Sequence, residues 1–218
     1  MNLEFIKDTH EYRAEGIKLR SVTQVLSKVL QTDNPWWKRE HRLRGTFVHR
    51  ITDVIDEGAW DPRLTTFPAS LGWDDKQKEK VIQRGFAYQR FVDETGFRVL
   101  KNELMVHSLG LRLAGTLDKL GIFTKGRYAG CLVIGDIKSG EPTPAAILQV
   151  MLYQILLEET DPEIIKGQET IRMVLHLRDD GQARPEYRTN NNGHMDRADA
   201  LAVLRTYDFM ERNKLVTA

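Results

Sequence analysis

The chain has 218 residues, 41% hydrophobic and 29% charged, which is enough for one buried core under a charged surface. Its 32 basic and 31 acidic side chains leave a net charge of +1, so any nucleic-acid contact must come from local patches such as Lys38-Arg39, His41-Arg42 and Arg44. By themselves such runs read as a solvated helix face. A single cysteine, Cys131, excludes an internal disulfide and any cysteine-built zinc or iron–sulfur site.

Residues 1–12 carry no apolar segment of the signal-peptide kind, and no run nears the roughly 18 apolar residues of a membrane span. A cytoplasmic location is the default expectation. Residues 3–20 read as a hairpin turning at Ala14-Glu15-Gly16, with Leu3, Phe5 and Tyr12 toward a core. Ser21-Val22-Thr23-Gln24 reads as a capping box opening a helix to about Leu30, and Asn34-Pro35 breaks it. A second helix is predicted from about Arg39 to Glu57, with Val48, Ile51, Thr52 and Ile55 on one side. After a loop over 58–74, Val81, Ile82, Phe86, Tyr88 and Phe91 mark an amphipathic helix over 75–95 that ends at Gly96. Strands are predicted over 97–107, 111–118, 131–136 and 171–177, and helices from about 143 to 159 and 196 to 213. The division is a single domain of 1–218: hairpin and helices over 1–95, a sheet core over 97–177 and a closing helix. The architecture is α/β, a sheet covered by helices.

The apolar run Leu132-Val133-Ile134 leads into Gly135-Asp136-Ile137-Lys138-Ser139-Gly140. In a strand, Asp136 and Lys138 project to one face and Ile137 to the other. Alone this is a structural ion pair. A second copy, Asp74-x-Lys76, reads as solvated helix surface, where Asp74→Ala should change nothing. Asp118, eighteen residues upstream of Asp136, also closes an apolar segment. If the two strands are neighbours the carboxylates converge, and a shared Mg²⁺ or Mn²⁺ relieves their repulsion. Gln149 and Tyr153 fall at i and i+4 on an otherwise apolar helix, and His49 lies on the second helix without the second histidine or adjacent glutamate of a zinc-protease motif.

In order, the chain reads Gly45-Thr-x-x-His49, Glu103, Gly115-Thr-x-Asp118, Gly135-Asp136-x-Lys138 and Gln149-x-x-x-Tyr153. This resembles the RecB-like branch of the PD-(D/E)XK nuclease superfamily over roughly residues 9–157. The resemblance implies a restriction-endonuclease-like core, a central mixed β-sheet flanked by helices. It implies a Mg²⁺- or Mn²⁺-dependent deoxyribonuclease, an exonuclease of recombination, repair or phage DNA processing. Asp118, Asp136 and Lys138 would be catalytic. His49, Asp118, Asp136 and the backbone carbonyl of Ile137 would hold the metal. Glu103 would lie in the outer shell, and Gln149 and Tyr153 would support the site. Arg44 and the Trp36–Arg50 segment would follow the DNA backbone, with Trp36 or Trp37 stacking on bases or else packing in the core. The second acid is Asp136 rather than glutamate, and the clustered cysteines of the iron–sulfur members are missing, so no iron–sulfur cluster is expected. DNA ends are the implied partner, with a phage or bacterial single-strand-binding or recombination protein beside them. Two rivals stay open: a catalytically silent nucleic-acid-binding module on the same fold, and a non-enzymatic partner-binding protein in which Asp136–Lys138 is a plain salt bridge.

Overall fold

The computed structural model describes residues 3–6, 9, 11–32, 39–189, 191 and 193–216. Asn34-Pro35 and the Trp36-Trp37 pair lie outside the described residues. Three short strands open the chain: β1 (Leu3–Ile6), β2 (Glu11–Ala14) and β3 (Ile17–Ser21). The β2–β3 turn is tight, with Glu15 and Gly16 at φ 51° and 76°, the left-handed region that two-residue hairpins use. Tyr12, Ala14 and Leu19 are buried, with Leu3 and Phe5 packed against them.

Helix α1 (Val22–Leu30) starts where Ser21 accepts a hydrogen bond from the Gln24 amide at 3.0 Å. Helix α2 (Arg39–Asp56) buries Val48, Ile51, Thr52 and Ile55, the stripe its spacing dictates. Helix α3 (Asp75–Thr95) buries Val81, Tyr88 and Phe91 as expected, but Phe86 is exposed and its ring meets Trp60 edge-on at 5.1 Å. Trp60 lies so close to Gly85 that a Cβ there would come within 2.6 Å of the indole.

Asp74 is not idle surface. It caps α3, accepting from the Gln77 amide at 2.7 Å while the Gln77 side chain accepts from the Asp74 amide at 2.9 Å. Asp74→Ala should therefore cost about 1 kcal/mol of stability and leave any cleavage activity untouched. A denaturant melt beside an activity assay checks both halves.

The central strands are β4 (Phe97–Ser108), β5 (Leu113–Phe123), β6 (Leu132–Lys138), β7 (Thr170–Leu177) and β8 (Ala183–Arg188). The sheet has eight strands in the order β1-β2-β3-β5-β6-β7-β8, with β4 also paired to β5. β4 runs antiparallel along one whole edge of β5. The other edge is shared: β3 joins it in parallel at Leu113 and Ala114, and β6 antiparallel from Lys119 to Ile122. Residues 115–118 of that edge are thus left in a fork between β3 and β6, and Asp118 stands at the crotch.

Helices α4 (Pro144–Thr160), α5 (Pro162–Ile165) and α6 (Gly193–Arg212) complete the chain. One core cluster joins β5 and β6 to α1, α4 and α6; a second joins α2 and α3 to the opposite face. Covered by helices on both faces, β6 is apolar up to Asp136, as expected. α4 is apolar nearly all round because α1 and α6 cover the side that the sheet does not. Arg172 of β7, almost fully buried, ties the layers by donating to Gln154 of α4 at 2.8 Å and Asp196 of α6 at 2.9 Å. The architecture is a mixed sheet between helices, as expected. No described helix is long and apolar enough to cross a membrane.

Candidate active site in the fork of the sheet

Asp118 does not close its strand. β5 continues five residues to Phe123, and what ends beside Asp118 is the pairing with β6. Freed from that ladder, Asp118 Oδ2 accepts the Ile137 amide proton at 2.7 Å. In an extended strand a residue's N–H and C=O point to the same side, so the Ile137 carbonyl also faces the fork.

Opposite Asp118 on β4 stands Glu103, in left-handed backbone at φ 48°. The register explains why. Asn102 and Lys119 pair with each other and face α2, whereas Leu104 and Leu117, two residues on, belong to the core under α1 and α4. Residues two apart normally share a face. Both strands therefore exchange faces at Glu103 and Asp118, and the positive φ marks the twist that does it.

The exchange turns both carboxylates toward His49 of α2. Glu103 Oε1 lies 3.6 Å from His49 Nδ1, and Asp118 Oδ2 lies 3.9 Å from Nε2. One donor atom from each of the three falls within 4.8 Å of the others. Burial works against a charged imidazole, but Asp118, with Glu103 and Asp136 behind it, outweighs burial and pushes the His49 pKa up to about 9.

Asp136 is fully buried beside this group. Gln149 donates to its Oδ1 at 2.8 Å, and Lys138 Nζ lies 2.7 Å from its Oδ2. That Oδ2 nevertheless accepts no hydrogen bond of regular geometry among the described residues. Burial pushes the Asp136 carboxyl up to about 6 against the pull of Lys138, and the charge of Asp118 adds to the rise. Burial opposes the Lys138 ammonium, yet Asp136 and Asp118 raise its pKa overall, so it stays charged.

Gln149 is the hinge of the polar row. Its Oε1 accepts from Lys138 Nζ at 3.1 Å and its Nε2 also reaches the Tyr153 hydroxyl at 3.0 Å. The Tyr153 ring closes on Gly115, where a Cβ would come within 2.6 Å of it. Gly115→Ala should push Tyr153 and Gln149 off the sheet, cost about 1–3 kcal/mol and lower activity. Thermal melts and cleavage rates of the variant test this.

His49, Glu103 and Asp118 are thus brought together, with Asp136, Lys138, Gln149 and Tyr153 adjoining. Arg44 stands apart. It lines a cavity of about 260 Å³ between α2 and α3 with Glu40, Trp73, Asp74, Lys76, Gln77, Lys80 and Val81. Sequence reasoning missed an ion cluster beside the donors, the buried Lys119 with Asp53 and Asp56, each 2.6 Å from its ammonium. A lysine inside the apolar run Leu117–Phe123 is the signal that could have found it.

The donor set fits a hard divalent cation such as Mg²⁺ or Mn²⁺: an imidazole, two nearby carboxylates and a third, buried carboxylate whose Oδ2 faces only the Lys138 ammonium. Cys131 is buried and alone, which fits no iron–sulfur cluster.

The sequence profile of the PD-(D/E)XK nuclease superfamily matches residues 25–211, most of the chain. The chain belongs to the PD-(D/E)XK nuclease superfamily. No curated protein sequence matches it. Among solved structures it is similar to an exonuclease candidate from Eubacterium rectale, at 12% identity and a TM-score of 0.40 over 89% of this chain and 77% of that one. It is also similar to LHK-Exo, an alkaline exonuclease from Laribacter hongkongensis, at 15% identity and a TM-score of 0.33 over 91% and 95%. The complex of LHK-Exo with dAMP gives a TM-score of 0.34 at the same identity. Asp136-Ile137-Lys138, the Asp-x-Lys that the resemblance singles out, lies on the last rungs of β6.

Proposed function

We propose that this protein is a divalent-metal-dependent DNA nuclease that hydrolyses phosphodiester bonds, working from DNA ends. The observation that carries the reading is the convergence of His49, Glu103 and Asp118 beside the buried Asp136–Lys138 pair. His49, Asp118 and Asp136, with the Ile137 carbonyl, would hold Mg²⁺ or Mn²⁺. Glu103 stands close enough to join them rather than wait in an outer shell. The ion would supply Lewis-acid stabilisation of charge on the phosphoryl group and acidify a water.

The chain's own residues do the rest. Lys138 keeps its proton at neutral pH, so it acts as a cation and hydrogen-bond donor toward the phosphate and the attacking water, not as the base. Gln149 holds Lys138 and Asp136 in one plane of action by bonding both. Tyr153 fixes Gln149 in turn. Arg44 and the Trp36-Trp37 segment remain the candidates for contact with the DNA backbone and bases.

The pH dependence has a definite sign. His49 is held protonated up to about 9 and Asp136 up to about 6. Each must lose its proton to act as a ligand, so metal binding expels protons. Mn²⁺ affinity should therefore rise from pH 6 to 9 and level off above. Calorimetric titrations in buffers of different ionisation enthalpy would read the proton release directly.

The function itself is tested with labelled linear and circular DNA, single- and double-stranded, in Mg²⁺, Mn²⁺ or EDTA, wild type beside Asp136→Asn. Metal-dependent loss of linear DNA, absent in the variant and sparing circles, is the expected result. Cutting of circles would replace end-dependence with endonuclease action. Binding without cleavage under any metal would replace the reading with a silent DNA-binding module.

A further inference from the structure

Beside the three donors lies a cluster that the proposed chemistry does not use. Lys119 is 1% exposed, and its Nζ donates to Asp53 Oδ1 at 2.6 Å, Asp56 Oδ2 at 2.6 Å and Asn102 Oδ1 at 2.8 Å. The Tyr88 hydroxyl of α3 donates to the other oxygen of Asp56 at 2.7 Å. Burying an ammonium and the Asp56 carboxylate, with Asp53 half-buried beside them, is costly, and an apolar core of the same volume would hold the layers together as well or better. Something other than bulk stability explains the choice.

The placement of the cluster supplies it. Lys119 follows Asp118 on β5, Asn102 precedes Glu103 on β4, and Asp53 is one helical turn past His49 on α2. Each element that brings a donor is tied to one nitrogen, a single residue or a single turn away from that donor. Apolar contacts between α2 and the sheet set the distance between layers but are non-directional. They choose which side of a helix is buried but hold its fine rotation and axial register only coarsely. Hydrogen bonds are directional, and three of them converging on one buried nitrogen fix both.

We propose that Lys119 is a positioning residue: its ammonium locks α2, β4 and β5 so that His49, Glu103 and Asp118 are pre-spaced for a divalent cation. This rests on reading the fork as the metal site of a nuclease. Lys119 touches neither substrate nor ion, so its loss should weaken metal affinity and leave DNA affinity alone.

The test compares wild type with a neutral triple variant, Lys119→Met with Asp53→Asn and Asp56→Asn, which removes the ammonium and both carboxylate charges together. Mn²⁺ is titrated by calorimetry without DNA, DNA affinity is measured in EDTA, and cleavage is followed against Mn²⁺ concentration. The expected result is an Mn²⁺ affinity weakened about 10–100-fold, unchanged DNA affinity, and cleavage largely recovered at high Mn²⁺. If the triple variant does not fold, Asp53→Asn is measured instead, because it keeps an accepting oxygen and Asp53 is the least buried member. A smaller loss of Mn²⁺ affinity in the same direction is expected there. Leu204→Ala, a core truncation on α6, serves as the control and should lose stability but not Mn²⁺ affinity. Wild-type Mn²⁺ affinity in the folded variant overturns the proposal, and so does an equal loss in the Leu204→Ala control. Absence of Mn²⁺ binding by wild type overturns the nuclease reading itself, and the two failures are thereby told apart.

Discussion

Asp118→Asn is expected to abolish DNA cleavage, by about a thousandfold or more, while the protein still folds. The asparagine keeps an oxygen where Asp118 Oδ2 accepts the Ile137 amide proton, so the strap between β5 and β6 survives. What is lost is the negative charge 3.9 Å from His49 Nε2. That charge is the largest of the influences that raise the His49 pKa, so the imidazole should titrate well below 9 in the variant. Proton NMR of the His49 ring, a thermal melt and a cleavage assay in Mg²⁺ together check the claim. A variant that cleaves like wild type would remove Asp118 from the site.

Lys138→Ala is expected to slow cleavage by about 100- to 1000-fold at pH 7, and to do so for two reasons. The cation proposed to face the phosphate is gone, and Asp136 loses its counter-charge. Asp136 is fully buried and its pKa already stands near 6 with Lys138 beside it. Without Lys138 it rises further, so at pH 7 the carboxyl holds a proton that a metal must displace. Raising the pH ionises Asp136 and restores that half of the loss, which makes the variant's rate climb with pH more steeply than wild type's. Stability should move the other way. A carboxyl whose folded pKa exceeds its unfolded one stabilises the fold while protonated, and that contribution fades as pH rises through the folded pKa. The metal-free variant should accordingly melt lower at pH 9 than at pH 6. A flat rate profile with unchanged melting would mean that Lys138 does not govern Asp136.

Much of this was legible in the sequence because the signals are local. The stripe Val48-Ile51-Thr52-Ile55 fixes the buried side of α2, and the apolar run before Asp136 fixes β6 as a doubly covered strand. Gln149 and Tyr153 stand out because they are polar on a helix that is otherwise apolar, and both prove buried and bonded to each other. What stayed hidden is non-local. β8 lies outside the predicted strands; it is short, carries Pro185 and ends the strand order, an edge position where proline is tolerated. Asp74-x-Lys76 is exposed helix surface, as expected, and what the reading lacks is the capping bond between Asp74 and Gln77. The true weight of Glu103 depends on β4 and β5 exchanging faces together, which no reading of either strand by itself reveals. Lys119 was masked by the same exchange, since its partners lie more than sixty residues earlier on α2.

The left-handed backbone of Glu103 sets one more consequence, for engineering rather than for chemistry. A glutamate at φ 48° occupies a region that glycine enters at no steric expense. Glu103→Gly would relieve that strain and at the same stroke delete a carboxylate from beside His49. Selection of this protein for heat resistance alone would therefore favour losing one of the three proposed metal donors.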